Sequence, residues 1–328
     1  MRTRFPILFA LALLAAGRLP ASEPFRIQNE NPVCRLFGLP AGGDAVPAAP
    51  GLQACVAVDL ANSSYAKVRG PNELVLDGET WVARLELRRA WSNGWRVAVQ
   101  VPVVSHQGGG SDDFIEWYHE RMGLPQGNRR QRPSGRLEYR YRRNGATLIE
   151  LTDPATGLGD VRFSAGAPLW RNNAATRAVD AVAGVELPTG DAGSLLGSGS
   201  TDFSLGLAAR DLASLACWNL ELHGAAGMLA LTEGDVLADR QRNFAGYGNF
   251  AVGWRLAGWL VPRLQADWHS PLFADAGFAP LDEWAVELVS GATLRLPRGF
   301  LLDLAVAEDI AVNTTPDVVF HLCVKRNL

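Results

Sequence analysis

Charged and imidazole side chains recur at alternate positions of otherwise apolar stretches. Arg84, Glu86 and Arg88 do so in TWVARLELRRAW, and Arg96 in WRVAVQVPV. Asp180 and Glu186 follow in the next such run, then Glu221, His223, Arg263, Asp267, His269, Glu287, Arg295, Asp303 and His321, with Lys325 at the end. If they share one face of a closed sheet, they line a lumen. Charged rings then select solutes in an open pore. Mixed signs equally allow a crossed network of ion pairs that fills a narrow lumen, and we expect partial occlusion because opposite charges pair more readily than they select. Hydrolysis would need a serine within reach of a histidine and a third group to orient the ring. His269 and Ser270 are adjacent, so on a strand they face opposite ways, and His223 and His321 have no evident serine partner. Glu116, His119 and Glu120 fall near one another on a predicted helix, but a metal needs three or four convergent ligands and only one histidine is present there. No metal ligand set, catalytic residue or cofactor motif is assigned.

Such side chains can line a lumen only if strands carry them. Val179, Ala181, Ala183, Val185 and Leu187 form an apolar face opposite Asp180, Val182, Gly184 and Glu186, until Pro188, which lacks an N–H, stops the ladder. After a Gly/Ser-rich loop, Phe203, Leu205, Leu207 and Ala209 oppose Asp202, Ser204, Gly206 and Arg210. About twelve such strands are expected, near 52–62, 80–91, 95–105, 159–170, 177–188, 201–211, 216–230, 246–256, 259–269, 284–296, 300–309 and 317–326.

Alternation alone does not separate a barrel from a soluble sandwich. Connection lengths do more. Short turns at Ser92-Asn93-Gly94, Asn172-Asn173, Leu212–Leu215, Ala257-Gly258 and Pro297–Gly299 alternate with mostly longer loops at 63–79, 106–158, 189–200, 231–245 and 270–283. A transmembrane barrel with both termini in the periplasm requires that asymmetry. Aromatic residues also gather at strand ends on the apolar face: Trp91, Trp95, Trp218, Trp254 and Phe300 by the short turns, and Trp81, Phe203, Trp268 and Trp284 by the long loops. Two girdles about ten residues apart match tilted strands crossing a bilayer. The expected fold is therefore all-β, a transmembrane antiparallel β-barrel of about 12 strands. In the longest loop, Ser111 caps a helix over Asp112–Met122, and a hairpin turns at Asn144-Gly145. Pro102, Pro168 and Pro262 inside strands call for bulges or rim positions.

Among 328 residues the formal net charge is −3, which argues for no nucleic-acid partner. Arg2 and Arg4, the apolar run 5–17 and Leu19-Pro20-Ala21 form a secretory signal, residues 1–21. No later stretch is apolar for long enough to be a membrane helix. Residues 22–51 form a periplasmic arm or a short lumenal plug, the plain arm being the simpler expectation, and 52–328 the barrel. The four cysteines, Cys34, Cys55, Cys217 and Cys323, show no CxxC spacing. Most are expected as free, packed thiols, the last three within strands. The basic run Arg129–Arg132 suits lipopolysaccharide phosphates. Expected partners are outer-membrane lipid, lipopolysaccharide and the barrel-insertion machinery, although the chain ends at Leu328 and not at the terminal aromatic that many such barrels carry.

FRIQNENP at 25–32, the GLP at Gly38–Pro40, LDGE at Leu76–Glu79, FIEWYHERMGLP at Phe114–Pro125, LPTGD with GSGSTD, and AEDIAVNTTPDVVFHL at 307–322 together resemble a Gram-negative family known only as a domain of unknown function and presumed to be outer-membrane. The resemblance spans nearly the whole mature chain. The LPTGD and GSGSTD loops are also similar to those of small outer-membrane transporter-like barrels. It implies location and fold, not activity or site residues. A passive channel or transporter for a small solute is the expected function. The alternatives are a structural or interaction barrel with an occluded lumen and an outer-membrane lipid hydrolase.

Overall fold

A computed structural model describes residues 22–47, 49–123, 133–310 and 314–328. The expected signal at 1–21 and the basic run Arg129–Arg132 lie outside the described residues. In chain order the strands are β1 (Gly51–Arg69), β2 (Asn72–Ala90), β3 (Arg96–Gln107), β4 (Glu138–Arg143), β5 (Ala146–Leu151), β6 (Ala155–Leu158), β7 (Val161–Arg171), β8 (Arg177–Leu187), β9 (Asp202–Asp211), β10 (Leu220–Leu231), β11 (Phe244–Trp254), β12 (Leu260–His269), β13 (Ala285–Arg295), β14 (Phe300–Asp309) and β15 (Val318–Asn327). Helix α1 spans Asp112–Met122 between β3 and β4.

Twelve of these strands close on themselves. β1, β2 and β3, then β7 through β15, pair antiparallel with their chain neighbours, and β1 returns to β15 from Gln53↔Asn327 to Asn62↔Val318. Closure leaves no free edge in a medium that cannot hydrogen-bond one. Outward positions are apolar and exposed, as at Val56, Leu85, Val97, Phe163, Leu205, Leu264 and Leu322. Trp91, Trp95, Trp218, Trp254 and Trp259 are exposed at the short-turn end, and Trp81, Phe203 and Trp284 at the long-loop end. The two aromatic bands expected from the sequence are therefore in place.

The prolines fall where ladder bonds are already interrupted. Pro168 sits at a register shift between β7 and β8. Pro102 lies in β3 between the stretch paired with β7, which ends at Gln100, and the stretch paired with β6, which begins at Val103. Pro262 pairs across to Ala292, one residue short of where β12 begins to pair with β11.

Two local expectations are corrected. Residues 63–79 do not form a loop. β1 and β2 continue far past the rest of the wall and turn at Gly70-Pro71, where Gly70 adopts φ +60°, a left-handed conformation cheap for glycine. The signal was the short alternation Leu74, Leu76 against Glu73, Asp77, obscured by the Gly-Pro turn and polar flanks. Cys217 lies in an exposed turn before β10, not in the strand, because Ala216–Trp218 form one 3-10 turn.

The long loop after β3 continues the wall. The hairpin β4–β5 pairs with the β2 extension, Glu73↔Arg142 to Asp77↔Glu138, and β6 extends β3. The Ser111 hydroxyl bonds Glu79, not a helix N–H, and Asp112 accepts from Asn62 (3.1 Å) and the Gly135 N–H (2.9 Å). Inside this raised rim lies an apolar cluster. It joins Val33, Leu36, Phe37 and Leu39 to Leu74 and Leu76, to Tyr139, Tyr141 and Leu151 of the hairpin, to Leu231 at the end of β10, and to Leu237, Phe273 and Phe278 of other loops. The long-loop end is thus closed by a packed core.

Two consequences can be measured. The folded protein will resist SDS until heated and then shift on a gel, because its backbone bonds close within one sheet; water solubility without detergent and no heat shift would contradict the barrel. Gly291 of β13 has no room for a side chain, since a Cβ would lie 2.2 Å from the Leu304 carbonyl oxygen. Gly291→Val will lower stability by about 1–3 kcal/mol, read as a lower unfolding temperature in that gel assay, whereas Val at the exposed Ser290 next to it will not.

Candidate functional site

The inner faces of the strands meet a second partner that alternation does not reveal, residues 22–47 of the same chain. These enter the barrel and are almost wholly buried, including Phe25, Ile27, Glu30, Cys34, Phe37 and Val46. The segment starts at the short-turn end, where Ser22 bonds Glu221 and Arg263. It climbs past Phe25, whose N–H donates to Gln265 (2.8 Å), and past Asn29, whose amide lies 2.8 Å from His269 Nε2. It turns under the apolar cap near Asn31–Phe37, where Cys34 and Arg35 N–H groups donate to the Asn31 carbonyl. It then descends by Gly38, which donates to Asp202 (2.9 Å), to Pro47, whose carbonyl accepts from Arg210 (2.6 Å). Gly42 (φ +59°) sits so close to the Phe25 carbonyl that a Cβ would approach it to 2.6 Å, so the two legs of the segment pack directly on each other.

Ion pairs hold the segment to the wall alongside apolar packing of Phe25 and Ile27 with Val289 and Val319, and of Val46 with Val182. In the middle of the lumen Arg84 bonds both Glu30 of the segment and Asp59 of β1. Asp59 also accepts from His321 Nδ1 (2.5 Å), and Arg35 lies 3.4 Å from Glu30. Nearer the short-turn end, Arg88 reaches both Glu23 oxygens at 2.7 Å and Gln53 at 2.8 Å. Arg26 pairs with Glu86 and lies 3.3 Å from Glu23. On the adjoining strands β3 and β7, Arg162 holds both Asp44 oxygens (3.1 and 2.7 Å), and Arg96 bonds Asp180 and the Asp44 carbonyl (2.8 Å). Arg263 pairs with Glu221 (3.0 Å) and lies 5.2 Å from the Phe25 ring centroid. Lys325 pairs with Asp303 (2.5 Å), which also accepts from Thr293 (2.7 Å).

These partners set the protonation of the segment's own acids. Burial pushes the Glu23 carboxyl up, but the charges of Arg88, Arg26 and Lys325 outweigh it and hold it well below the usual carboxylate range. For Asp44, burial is likewise overcome by Arg162 and Arg96.

Of the wall residues named from sequence, Arg84, Glu86, Arg88, Arg96, Asp180, Glu221, Arg263, His269, Asp303 and His321 enter this network directly or through one neighbour. Glu186 lies beside Gly38. Asp267 and Glu287 border a cavity of ≈ 30 Å³ together with Asn29 and His269. His223 is buried, and neither ring nitrogen has a hydrogen-bond partner among the described residues. Arg295 sits at the short-turn end and donates to the Gly258 carbonyl (3.2 Å). Sequence reasoning missed the segment's Glu23, Arg26, Glu30, Arg35 and Asp44, which follow no period. It also missed Asp59, a single charge on the small-residue inner face of β1. Arg162 was open to discovery, because Arg162 and Ser164 alternate with Phe163 and Ala165.

Histidine chemistry is engaged elsewhere. His269 Nδ1 meets the Ser270 carbonyl (2.8 Å), while the Ser270 hydroxyl accepts from the Gly246 N–H. His106 bonds Thr80 (2.9 Å) and the Leu195 carbonyl (2.9 Å). No described histidine is paired with a serine hydroxyl. The side chain of His119 lies outside the described residues.

Comparison with known proteins follows from this geometry. The chain aligns over 87% of its length with the COG4313 outer membrane channel from Pseudomonas putida F1, 98% of which is covered, at 14% identity and a TM-score of 0.56. A structure of the NanC porin aligns over 84% of this chain and 100% of its own at 9% identity and a TM-score of 0.49. The Ralstonia pickettii toluene transporter TbuX aligns over 95% and 99% at 9% identity and a TM-score of 0.42. No curated protein matches the sequence. The model of one family, described as "Protein of unknown function (DUF3187)", matches residues 10–327. The chain therefore belongs to the DUF3187 family and has the fold of an outer-membrane β-barrel.

Proposed function

We propose that the protein is an outer-membrane channel or transporter for a small polar solute, kept closed by its own residues 22–47 acting as a lumenal plug. The observation that carries this reading is the nature of the hold. The segment meets the wall through ion pairs: Glu23 with Arg88, Glu30 with Arg84, Arg26 with Glu86 and Asp44 with Arg162. A permanently dry lumen is filled at lower cost by apolar side chains, since desolvating paired charges costs as much as or more than the pairing returns. A charged wall is compatible with water once the segment leaves, and its rings of mixed charge would favour polar solutes. The fold shared with an outer-membrane channel supports the same reading. Its setting includes lipopolysaccharide around the long-loop end and assembly by the barrel-insertion machinery. A second reading, a structural barrel that never opens, draws on the apolar cluster closing the long-loop end. The cluster includes Val33–Leu39 of the segment, so departure of the segment would also breach the cap.

Planar-bilayer recording separates the two. The full mature chain will be silent or nearly so, and removal of residues 22–47 will give steady conductance. Glu30→Gln, a milder change that keeps the fold, will give brief openings, because it leaves Arg84 and Arg35 without a full counter-charge. Silence from all three, with heat-shifted gels showing that each is folded, would leave the structural barrel standing.

Acid will loosen the plug only at low pH. Glu23 and Asp44 have depressed values when seated, while in the released segment they titrate near the ordinary 4 or so. Their contribution is therefore complete above that range and fades as pH falls through the seated values. Conductance or proteolysis of the segment should not rise between about pH 5 and 7. A rise in that window would show that these carboxylates do not carry the hold.

A further inference from the structure

Cys55 of β1 and Cys323 of β15 face the lumen at the seam where the barrel closes. Ala57 stands opposite Cys323 and Lys325 opposite Cys55, so the two cysteines occupy neighbouring inward positions on paired strands. Both are buried, and their sulfurs lie 2.7 Å apart. Non-bonded heavy atoms settle at roughly 3.5–4 Å, so these sulfurs are closer than packed thiols allow. The remaining cysteines have no such neighbour. Cys34 donates to the Pro280 carbonyl (3.2 Å), and Cys217 is exposed on a turn.

Asp303, His321 and Cys323 also place ligand atoms within 4.8 Å of one another, which raises a metal as a competitor. His321 Nε2 has no hydrogen-bond partner among the described residues, and its Nδ1 bonds Asp59. Two observations weigh against the metal. Two thiolates on one tetrahedral zinc, with Zn–S near 2.3 Å, stand about 3.8 Å apart, well beyond the distance seen. Asp303 is already paired with Lys325.

We propose that Cys55 and Cys323 form a disulfide in the exported protein, a covalent clasp joining the first and last strands of the barrel. The two thiols are oxidised, each losing a proton, as one S–S bond forms. Thiol–disulfide exchange with the disulfide of a periplasmic oxidant accepts the two electrons, and that disulfide becomes two thiols. The partners are 268 positions apart and meet only when β1 pairs with β15. The bond therefore reports barrel closure. It also lies beside the plug's anchor, since Lys325, opposite Cys55, borders a cleft at the short-turn end together with Glu23 and Arg88.

The test uses full-length protein extracted from outer membranes, denatured in SDS without reductant and treated with a mass-shifting maleimide. Two thiols, Cys34 and Cys217, should react, and all four after reduction. Intact mass before reduction should be lower by about 2 Da, the two hydrogens lost. A proteolytic digest should contain one peptide linking Cys55 to Cys323. Cys323→Ser should give three reactive thiols without reductant, the third being Cys55. On unboiled gels, reductant should lower the heat-shift temperature of the wild type and leave the Cys55→Ser/Cys323→Ser double variant unchanged. Four reactive thiols in the unreduced wild type would overturn the proposal. So would bound zinc by elemental analysis, with Cys55 and Cys323 labelled only after chelation, which would assign the cluster to a metal.

Discussion

An arginine that points into a closed barrel has little solvent to return to. Its charge must be met by the opposite wall or by something placed between the walls. In this protein the wall alone leaves Arg84, Arg88, Arg96, Arg162 and Arg263 reaching toward the axis, and residues 22–47 supply much of what they reach. Removing one member of such a pair strands its partner in a medium of low polarizability, which costs far more than an exposed ion pair is worth. The interior therefore behaves as one coupled unit. Arg35, Glu30, Arg84, Asp59 and His321 form a chain of contacts that runs from the segment through β2 and β1 to β15.

The two ends of the molecule are closed by different physics. At the long-loop end, the extended β1–β2 hairpin and the β4–β5 hairpin stand above the membrane band and enclose an apolar core. Toward the short turns, the hold is polar and ionic. Residues 33–39 belong to the first and residues 22–30 to the second, so the single segment links both closures. That coupling is why the lumen is filled from one end to the other, and why displacing one short stretch of chain would change both ends together.

The register of the wall explains how a dense interior is reached without strain in the sheet. Glycines sit where arginines cross. A Cβ at Gly166 would lie 2.3 Å from the Arg96 guanidinium carbon, and one at Gly184 would lie 2.5 Å from an Arg162 nitrogen. The loop that joins β8 to β9 is tied in the same economical manner, with Asp160 accepting from the Gly190 and Ser198 N–H groups at 2.8 Å. The LPTGD and GSGSTD motifs are thus structural in this chain: they fold a loop tightly over β7.

Much of the wall was legible in the residues themselves. A two-residue period places Arg84 and Leu85 on opposite faces whatever surrounds them, and short turns alternating with long loops orient the whole set. The helix over Asp112–Met122 and the hairpin at Asn144-Gly145 were equally local, marked by acidic residues in the first helical turn and by a turn dipeptide. What carries no period could not be read this way. The Pro- and Gly-rich stretch at 23–51 has no repeat from which a position could be inferred, and the place of residues 22–47 in the lumen follows from wall side chains distant in sequence, among them Arg263, 240 positions from Glu23. The meeting of Cys55 with Cys323 has the same origin. Sequence decides which way a side chain faces on its own strand; only closure of the sheet decides what it faces, because that partner is brought by tertiary register and not by neighbours along the chain.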